Sequence, residues 1–231
     1  MILFIITDSP ANANGAGFYH TRLRLEQLAG DVCLELRYNQ LSRELLNAVR
    51  PWAICHSGGG AIFSEYDILR HEPYRWVITE YDAPQIGFCG GHQLIALQFG
   101  ATVDHIGPVR DDEVDANPGY HAGLFKEWGV YPVRIVRADP LFDGLGGTIR
   151  VQEYHMDEVK ELGPELTLLA SSARCRVQAF KHRRKPIYGT QFHPEQSPDS
   201  YPDGVQLLRN FFRIARAYAD GRGTGASAGG T

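Results

Sequence analysis

The chain has 231 residues, of which 43% are hydrophobic, and this is enough apolar material for the core of one α/β domain. Its 27 acidic and 23 basic residues give a formal net charge of -4, which excludes the basic footprint of a nucleic-acid-binding protein. Its four cysteines include no C-x-x-C pair and do not make a disulfide framework, so a reducing, cytoplasmic location is expected.

Short apolar runs alternate with helical patterns along the first hundred residues, which is typical of a parallel sheet with crossover helices. The opening run is too short, and too soon followed by Asp8, to be a signal peptide or a membrane span. It is predicted to be a core strand at residues 2–7. Further strands are predicted at 32–36, 52–56 and 85–88, with helices at about 19–28, 42–49 and 90–99.

The second half predicts several strands with little helix between them, and these are interpreted as added antiparallel strands. They are expected at 131–136, 148–154, 166–170, 176–180 and 187–191, followed by an amphipathic helix at about 205–219. Residues 220–231 are rich in glycine and alanine and are predicted to be disordered. The expected organisation is one α/β domain at 1–219, with a mostly parallel central sheet between layers of helices.

Cys89 lies at a predicted strand-to-helix turn in Gly87-Phe88-Cys89-Gly90-Gly91. The flanking glycines permit a tight turn that exposes the sulfur, and the positive end of the helix dipole favours the thiolate. About a hundred residues later, His193 and Glu195 follow in Gln191-Phe192-His193-Pro194-Glu195. A nucleophile, a base and a carboxylate that orients the base are the three groups needed for acyl transfer.

A single glycine-flanked cysteine is more often a small packed residue than a nucleophile. Gln93 and the distal H-P-E favour the catalytic interpretation for Cys89. The remaining cysteines, which lie in apolar runs predicted to be strands, are interpreted as packed core residues: Cys33, Cys55 and Cys175.

With these motifs the sequence resembles the class I glutamine amidotransferases, whose glutaminase domains carry a G-x-C-x-G-x-Q turn and a distal H-P-E. His56-Ser57-Gly58-Gly59-Gly60 resembles the family's oxyanion strand, and Glu127-Trp128-Gly129 resembles its E-x-G turn. Residues 151–195 are similar to the glutaminase domain of GMP synthetases. The resemblance covers about residues 1–218 and implies a flavodoxin-like fold with a Cys-His-Glu triad and no cofactor.

Two backbone amides are candidates for the oxyanion hole, because convergent N-H groups stabilise a tetrahedral oxyanion by several kcal/mol. The N-H of Gly90 directly follows the nucleophile, and the N-H of Gly59 lies in a turn where backbone can approach the substrate. An ordinary turn after a strand is the alternative for residues 57–60. Gly60 stands where the family usually has proline, so a more mobile loop is expected.

The resemblance also implies substrate-binding residues. Gln93 matches a glutamine that touches the amino-acid end of the substrate. Tyr154, His155 and Met156 align with a segment, commonly S-H-G-D, whose backbone holds the substrate α-carboxylate. Tyr154 and Met156 replace small residues of that segment, and the alternative for His155 is a packed polar residue.

Residues 106–124 form a longer connection than the family usually has. A metal site built from His105, Asp111, Asp115 and His121 can be imagined, but these carboxylates lack a tight histidine pairing, so a solvated loop is favoured and no metal is predicted. The segment is interpreted as a lid or a docking surface that can be shortened with little change in stability.

Three functions remain open at this point. The first is a glutaminase subunit that passes ammonia to a separate synthetase, since the chain has no G-x-x-x-x-G-K-[ST] motif for an ATP-dependent partner reaction. The second is a stand-alone hydrolase of another γ-glutamyl amide, and the third is a non-catalytic interaction protein on the same fold. A protease-like relative with histidine directly after cysteine is disfavoured, because Gly90 occupies that position. No nucleic-acid or membrane partner is expected.

Overall fold

Strands alternate with helices in the first half of the protein and follow one another in the second, across residues 1–225 described by the computed structural model. The helices are α1 (Ala16–Ala29), α2 (Arg43–Val49), α3 (Glu72–Thr79), α4 (Gly90–Gln98) and α5 (Asp203–Gly225). The strands are β1 (Ile2–Ile6), β2 (Cys33–Arg37), β3 (Ile54–His56), β4 (Gln85–Phe88), β5 (Thr102–His105), β6 (Glu127–Ile135), β7 (Thr148–His155), β8 (Asp157–Glu161), β9 (Leu166–Ser171), β10 (Ala179–His182) and β11 (Ile187–Thr190).

A nine-stranded sheet has the order β2-β1-β3-β4-β11-β10-β9-β6-β7. Pairing is parallel from β2 through β11 and antiparallel from β11 through β7. A separate antiparallel pair joins β5 to β8. The predicted mixed sheet, parallel first and antiparallel later, is confirmed.

The two faces of the sheet carry two apolar clusters. Every residue of β1 is buried, and its side chains alternate between the faces. Phe4 belongs to the cluster that includes Leu25 of α1 and Phe211 of α5, whereas Leu3 belongs to the cluster that includes Val77 of α3 and Leu94 of α4. The result is a three-layer fold with helices on both faces.

The C-terminal helix differs from the sequence prediction. Residues 220–225, predicted to be part of a disordered tail, continue α5, because extending an existing helix fixes one residue per hydrogen bond gained. The rest of the predicted tail, 226–231, lies outside the described residues. None of the described helices has the length and apolar character needed to cross a membrane.

Candidate active site

Cys89 lies between β4 and α4 in a strained conformation. Its φ of 46° and ψ of -104° place a non-glycine residue at positive φ, and its N-H donates to the Thr190 carbonyl at 2.8 Å. Neighbouring glycines are needed for close approach: a Cβ on Gly87 would lie 2.5 Å from the carbonyl of Gly91, and one on Gly91 would lie 2.6 Å from the carbonyl of His56. Backbone packing therefore fixes the turn that presents the sulfur.

The structure brings Cys89, His193 and Glu195 together at the carboxyl edge of β4 and β11. Nδ1 of His193 lies 2.7 Å from Oε1 of Glu195, and the Cys89 side chain is close enough to act electrostatically on the imidazole. Since Nδ1 is occupied by the carboxylate, Nε2 is left for the sulfur. All three side chains are buried. The arrangement fits a nucleophile, a base and a carboxylate that fixes the tautomer of the base.

The electrostatics favour a charged imidazole. Burial opposes protonation of His193, but the Glu195 carboxylate and the Cys89 sulfur outweigh burial and hold the pKa of His193 well above its usual value. An imidazolium at this place can give its proton to a leaving amine.

We expect Glu195→Gln to move the alkaline limb of the pH profile of kcat/KM to lower pH. The carboxylate raises the pKa of His193, so its removal lowers that pKa, and the imidazolium is lost at a lower pH. Glu161→Gln, which removes an equal charge at an exposed position, is the control. An alkaline limb that stays in place in Glu195→Gln contradicts the assignment.

The residues that carry the two candidate oxyanion donors lie next to each other. A Cβ on Gly90 would lie 3.1 Å from the amide nitrogen of Gly59, so the two residues are neighbours. Within the described residues, neither amide donates to a protein acceptor. Free N-H groups at adjacent positions are what an oxyanion hole requires.

Asp8, just after β1, holds the loop of the candidate oxyanion hole (residues 57–61) and was missed by sequence reasoning. Its carboxylate accepts from the N-H groups of Gly60 at 3.0 Å, Ala61 at 3.3 Å and Ser9 at 2.7 Å. The available signal was its place at the carboxyl end of a parallel strand, where the loops of such a sheet converge.

Gln93 is buried and forms part of an amide chain that ends at the thiol. Its Nε2 donates to the Gln191 side-chain oxygen and to the Asp157 carbonyl, both at 3.1 Å, and Gln191 Nε2 lies 3.6 Å from the Cys89 sulfur. Gln191 was not predicted as a site residue, although it lies two residues before His193.

The segment at 154–156 lies beside the thiol, but its side chains make different contacts. The Tyr154 carbonyl is 3.9 Å from the Cys89 sulfur, and the Tyr154 ring lies 5.8 Å from the His193 ring. Met156 is buried, and its carbonyl accepts from Ile106 N-H at 2.8 Å. Contact of this backbone with a substrate carboxylate stays a prediction.

His155 is packed in a buried ion-pair cluster. Its Nε2 lies 3.1 Å from Glu127 Oε2 and 3.1 Å from Glu153 Oε2. Burial opposes its protonation, but the Glu153 and Glu127 carboxylates hold the pKa of His155 well above its usual value. Burial raises the pKa of Glu153 to about 7. The side chain of His155 thus stabilises the end of β7 through this buried cluster.

Possible metal ligands are placed differently from the imagined set. Nδ1 of His105 pairs with Asp157, and Asp115 pairs with Lys126. Among the described residues, the group able to gather ligand atoms within 4.8 Å is Glu127, His155 and Cys175. Glu127 already accepts from His155, Ser172 and Gln178, so this group is a hydrogen-bonded ion-pair cluster.

Gly58→Ala should lower kcat by ~10²-fold with little change in thermal stability. A Cβ at this position would lie 2.8 Å from Cε1 of His193 and 3.4 Å from Cβ of Cys89, so the imidazole must move away from the sulfur. Gly60→Ala on the same loop is the control, because its Cβ would meet nothing within 4 Å. Steady-state kinetics and thermal melting of both variants check this, and equal activity of the two variants contradicts it.

Comparison with known proteins agrees with this geometry. The family model for "Glutamine amidotransferase class-I" matches residues 32–215. The glutamine-hydrolyzing GMP synthase subunit of Pyrococcus furiosus is 34% identical over 204 residues, covering 87% of this chain and 95% of the relative. The corresponding subunit of Thermococcus kodakarensis is 35% identical over 204 residues, with the same coverage of 87% and 95%.

Solved structures give the same result. A Thermoplasma acidophilum protein described as a GMP synthase subunit superposes with a TM-score of 0.74 at 30% identity, covering 96% of this chain and 98% of that one. A glutamine amidotransferase of Thermotoga maritima shares the fold, with a TM-score of 0.65 at 18% identity over 93% of this chain and 97% of that one. Sequence and structure together establish that the chain belongs to the class I glutamine amidotransferases.

Proposed function

We propose that the protein hydrolyses the side-chain amide of glutamine through a γ-glutamyl thioester on Cys89 and delivers the ammonia to a separate synthetase subunit. The proposal rests on one observation above all: the His193–Glu195 pair lies beside Cys89, and the residues that carry the two free amides, Gly59 and Gly90, are neighbours at the same turn. The relatives support the substrate, since those proteins are glutamine-hydrolysing subunits of GMP synthase.

Acylation begins when the Cys89 sulfur attacks the side-chain amide carbon. The carbonyl oxygen takes the negative charge and is stabilised by the N-H groups of Gly59 and Gly90. His193 then gives a proton to the amide nitrogen, and the C-N bond breaks. Ammonia leaves, and a thioester remains on Cys89.

In deacylation His193 acts first as a base instead of an acid. A water molecule loses a proton to His193 as it attacks the thioester, and a second oxyanion forms in the same site. Collapse of this oxyanion releases glutamate and returns the thiolate. Glu195 keeps the imidazole oriented through both halves of the cycle.

The ammonia acceptor is proposed to be an ATP-dependent synthetase on another chain, because the relatives are separate glutamine-hydrolysing subunits. This sequence contains no G-x-x-x-x-G-K-[ST] motif for the nucleotide. We further propose that residues 1–219 act as one domain in the cytoplasm. Support comes from β4 and β11, which are distant in sequence yet pair directly, and from the four free cysteines, which suit a reducing compartment.

A second candidate function is hydrolysis of a different γ-glutamyl amide. The observation that favours it is the bulky Tyr154 beside the thiol, with its ring against His193 and its carbonyl near the sulfur. Larger side chains at this position can reshape the pocket around the amide.

The test is to assay the purified protein for glutamate and ammonia release from glutamine and from several γ-glutamyl amides, with Cys89→Ala as the blank. We expect glutamine to have the highest kcat/KM, and we expect its turnover to rise when the synthetase of the same organism is added with its substrates. Preferred turnover of another amide, with no response to the synthetase, would establish the second candidate instead.

A further inference from the structure

The connection between β5 and β6, here called the strap (residues 106–124), is closed at its base by backbone hydrogen bonds. Phe125 N-H donates to the Gly107 carbonyl at 2.8 Å, and Val109 N-H donates to the Gly123 carbonyl at 3.0 Å. Pro108 and Leu124 form an isolated antiparallel bridge. The strap therefore leaves and re-enters the fold as a paired stem rather than as an open loop.

A buried ammonium fixes the outer part of the strap. Lys126 is 1% exposed, and its Nζ donates to the carbonyls of His121 at 2.9 Å and Leu124 at 2.7 Å. It also pairs with Oδ1 of Asp115 at 2.9 Å. A buried cation needs such partners, so the strap and Lys126 stabilise each other.

The strap also makes a charged contact with the loop after β9. Arg174 pairs with Glu113 and donates to the Pro108 carbonyl at 3.1 Å, while its guanidinium lies 4.1 Å from the centre of the Phe125 ring. These contacts hold the strap in one place over the fold.

An aromatic row connects the strap to the catalytic imidazole. Ring centres are separated by 5.8 Å between Tyr120 and Trp128, 5.1 Å between Trp128 and Tyr154, and 5.8 Å between Tyr154 and His193. Trp128 and Tyr154 are direct partners in the β6–β7 ladder. The rigid ladder sets the middle of the row, and the strap supplies its outer ring.

Tyr120 also faces the loop of the candidate oxyanion hole. With His121 it lines a cavity whose other walls include Gly60 and Ala61 of that loop and the turn that begins at Ser9. Burial, together with the charges of Asp157, Cys89 and Asp8, raises the pKa of Tyr120, so its phenol stays neutral beside these groups. Tyr120, the outer ring of the aromatic row, therefore shares a cavity with the loop of the candidate oxyanion hole.

We propose that Tyr120 is a specificity-determining residue, which walls the outer side of the Cys89 site and restricts it to γ-glutamyl amides with a small amine. The inference rests on the proposed function and deepens it. Ammonia is the smallest amine that such a substrate can release. A ring held on the outer side limits the space for a larger amine and the access of water to the thioester.

Two readouts test this role in Tyr120→Ala. The first is kcat/KM for glutamine relative to that for γ-glutamyl-p-nitroanilide, which carries a bulky amine. The second is the rate at which a bulky maleimide alkylates Cys89, followed by mass spectrometry, which needs no turnover. We expect the ratio to shift towards the anilide by at least ~10-fold and Cys89 alkylation to accelerate similarly. Tyr120→Phe should behave as wild type in both, because the ring and not the hydroxyl fills the space.

Val114→Ala is the matched control, since Val114 lies on the same strap and is 87% exposed. It should change neither readout. Three results would each overturn the proposal. In Tyr120→Ala these are an equal change in kcat/KM for both substrates or an unchanged rate of Cys89 alkylation. In Tyr120→Phe it is a faster alkylation of Cys89 than in the wild type. Failure of the proposed function gives a different result: the wild-type protein would release no glutamate from glutamine. The alkylation rates of the variants could still be compared in that case.

Discussion

Cys89→Ser is expected to lower glutaminase turnover by at least ~10⁴-fold while leaving the fold intact. Sulfur and oxygen occupy similar space, so the strained turn at positive φ is kept. The hydroxyl, however, is a far weaker nucleophile than a thiol or a thiolate. Single-turnover and steady-state assays, with thermal melting as a check on folding, measure the loss.

The identity of the nucleophile can also be read by covalent labelling. A glutamine-like diazo-ketone should alkylate Cys89 alone, because burial raises the pKa of the other three thiols and keeps them protonated: Cys33, Cys55 and Cys175. Labelling of one of those three with loss of activity, and with Cys89 unmodified, would contradict the assignment.

A double variant separates a shared mechanism from independent effects. His193→Ala alone should be nearly as damaging as Cys89→Ser, and the two together should cost little more than either alone, since the groups act as a unit. Additive losses would mean that His193 does not activate the sulfur.

The parallel half of the sheet could be predicted from sequence because its strands, apart from the edge strand β2, are buried on both faces. The strand predicted at 85–88 has the observed bounds, Gln85–Phe88, and all its residues are buried. By contrast, β5 is mostly exposed and β8 carries Asp157, Glu158, Lys160 and Glu161, so neither shows an apolar alternation. Their pairing with each other defines them, and a single sequence does not show that pairing.

The short helix α3 was also missed. In α3 a proline stands in the first turn and three residues are buried within eight, which is too short a window for a clear helical period. The prediction of a disordered tail from residue 220 relied on glycine content, which is a weak guide once α5 is already formed.

Sequence motifs located the candidate triad because each motif is local in the chain. The supporting groups are not local. Asp8 reaches amides about fifty residues away, and the position of Tyr120 depends on rings from the strap, β6 and β7. Physical proximity created by the fold, and not spacing in the chain, gives these residues their contacts.

The strap shows the same limit of sequence-based prediction, in this case for stability. An acidic run with Asn117-Pro118-Gly119 was expected to lie in solvent and to be removable without loss of stability. The structure leaves most of this run exposed, but residues of the strap supply the oxygens that neutralise a buried cation, so we expect a loss of stability when they are removed. A signal was present in the sequence: Lys126 is the first basic side chain with a permanent charge after Arg110, and it follows the acidic run.

Lys126→Met is therefore expected to lower the free energy of unfolding by about 2–4 kcal/mol, because two carbonyls of the strap lose their buried donor. Urea denaturation should show a lower midpoint, and Cys89 alkylation should accelerate as the strap loosens and Tyr120 leaves the site. Lys185→Met is the matched control, since Lys185 is exposed and bonds only at the surface to the Thr79 carbonyl; its midpoint should stay at the wild-type value. If Lys126→Met is as stable as Lys185→Met, the strap is not anchored by this ammonium, and its hold on Tyr120 must come from the stem and Arg174 alone.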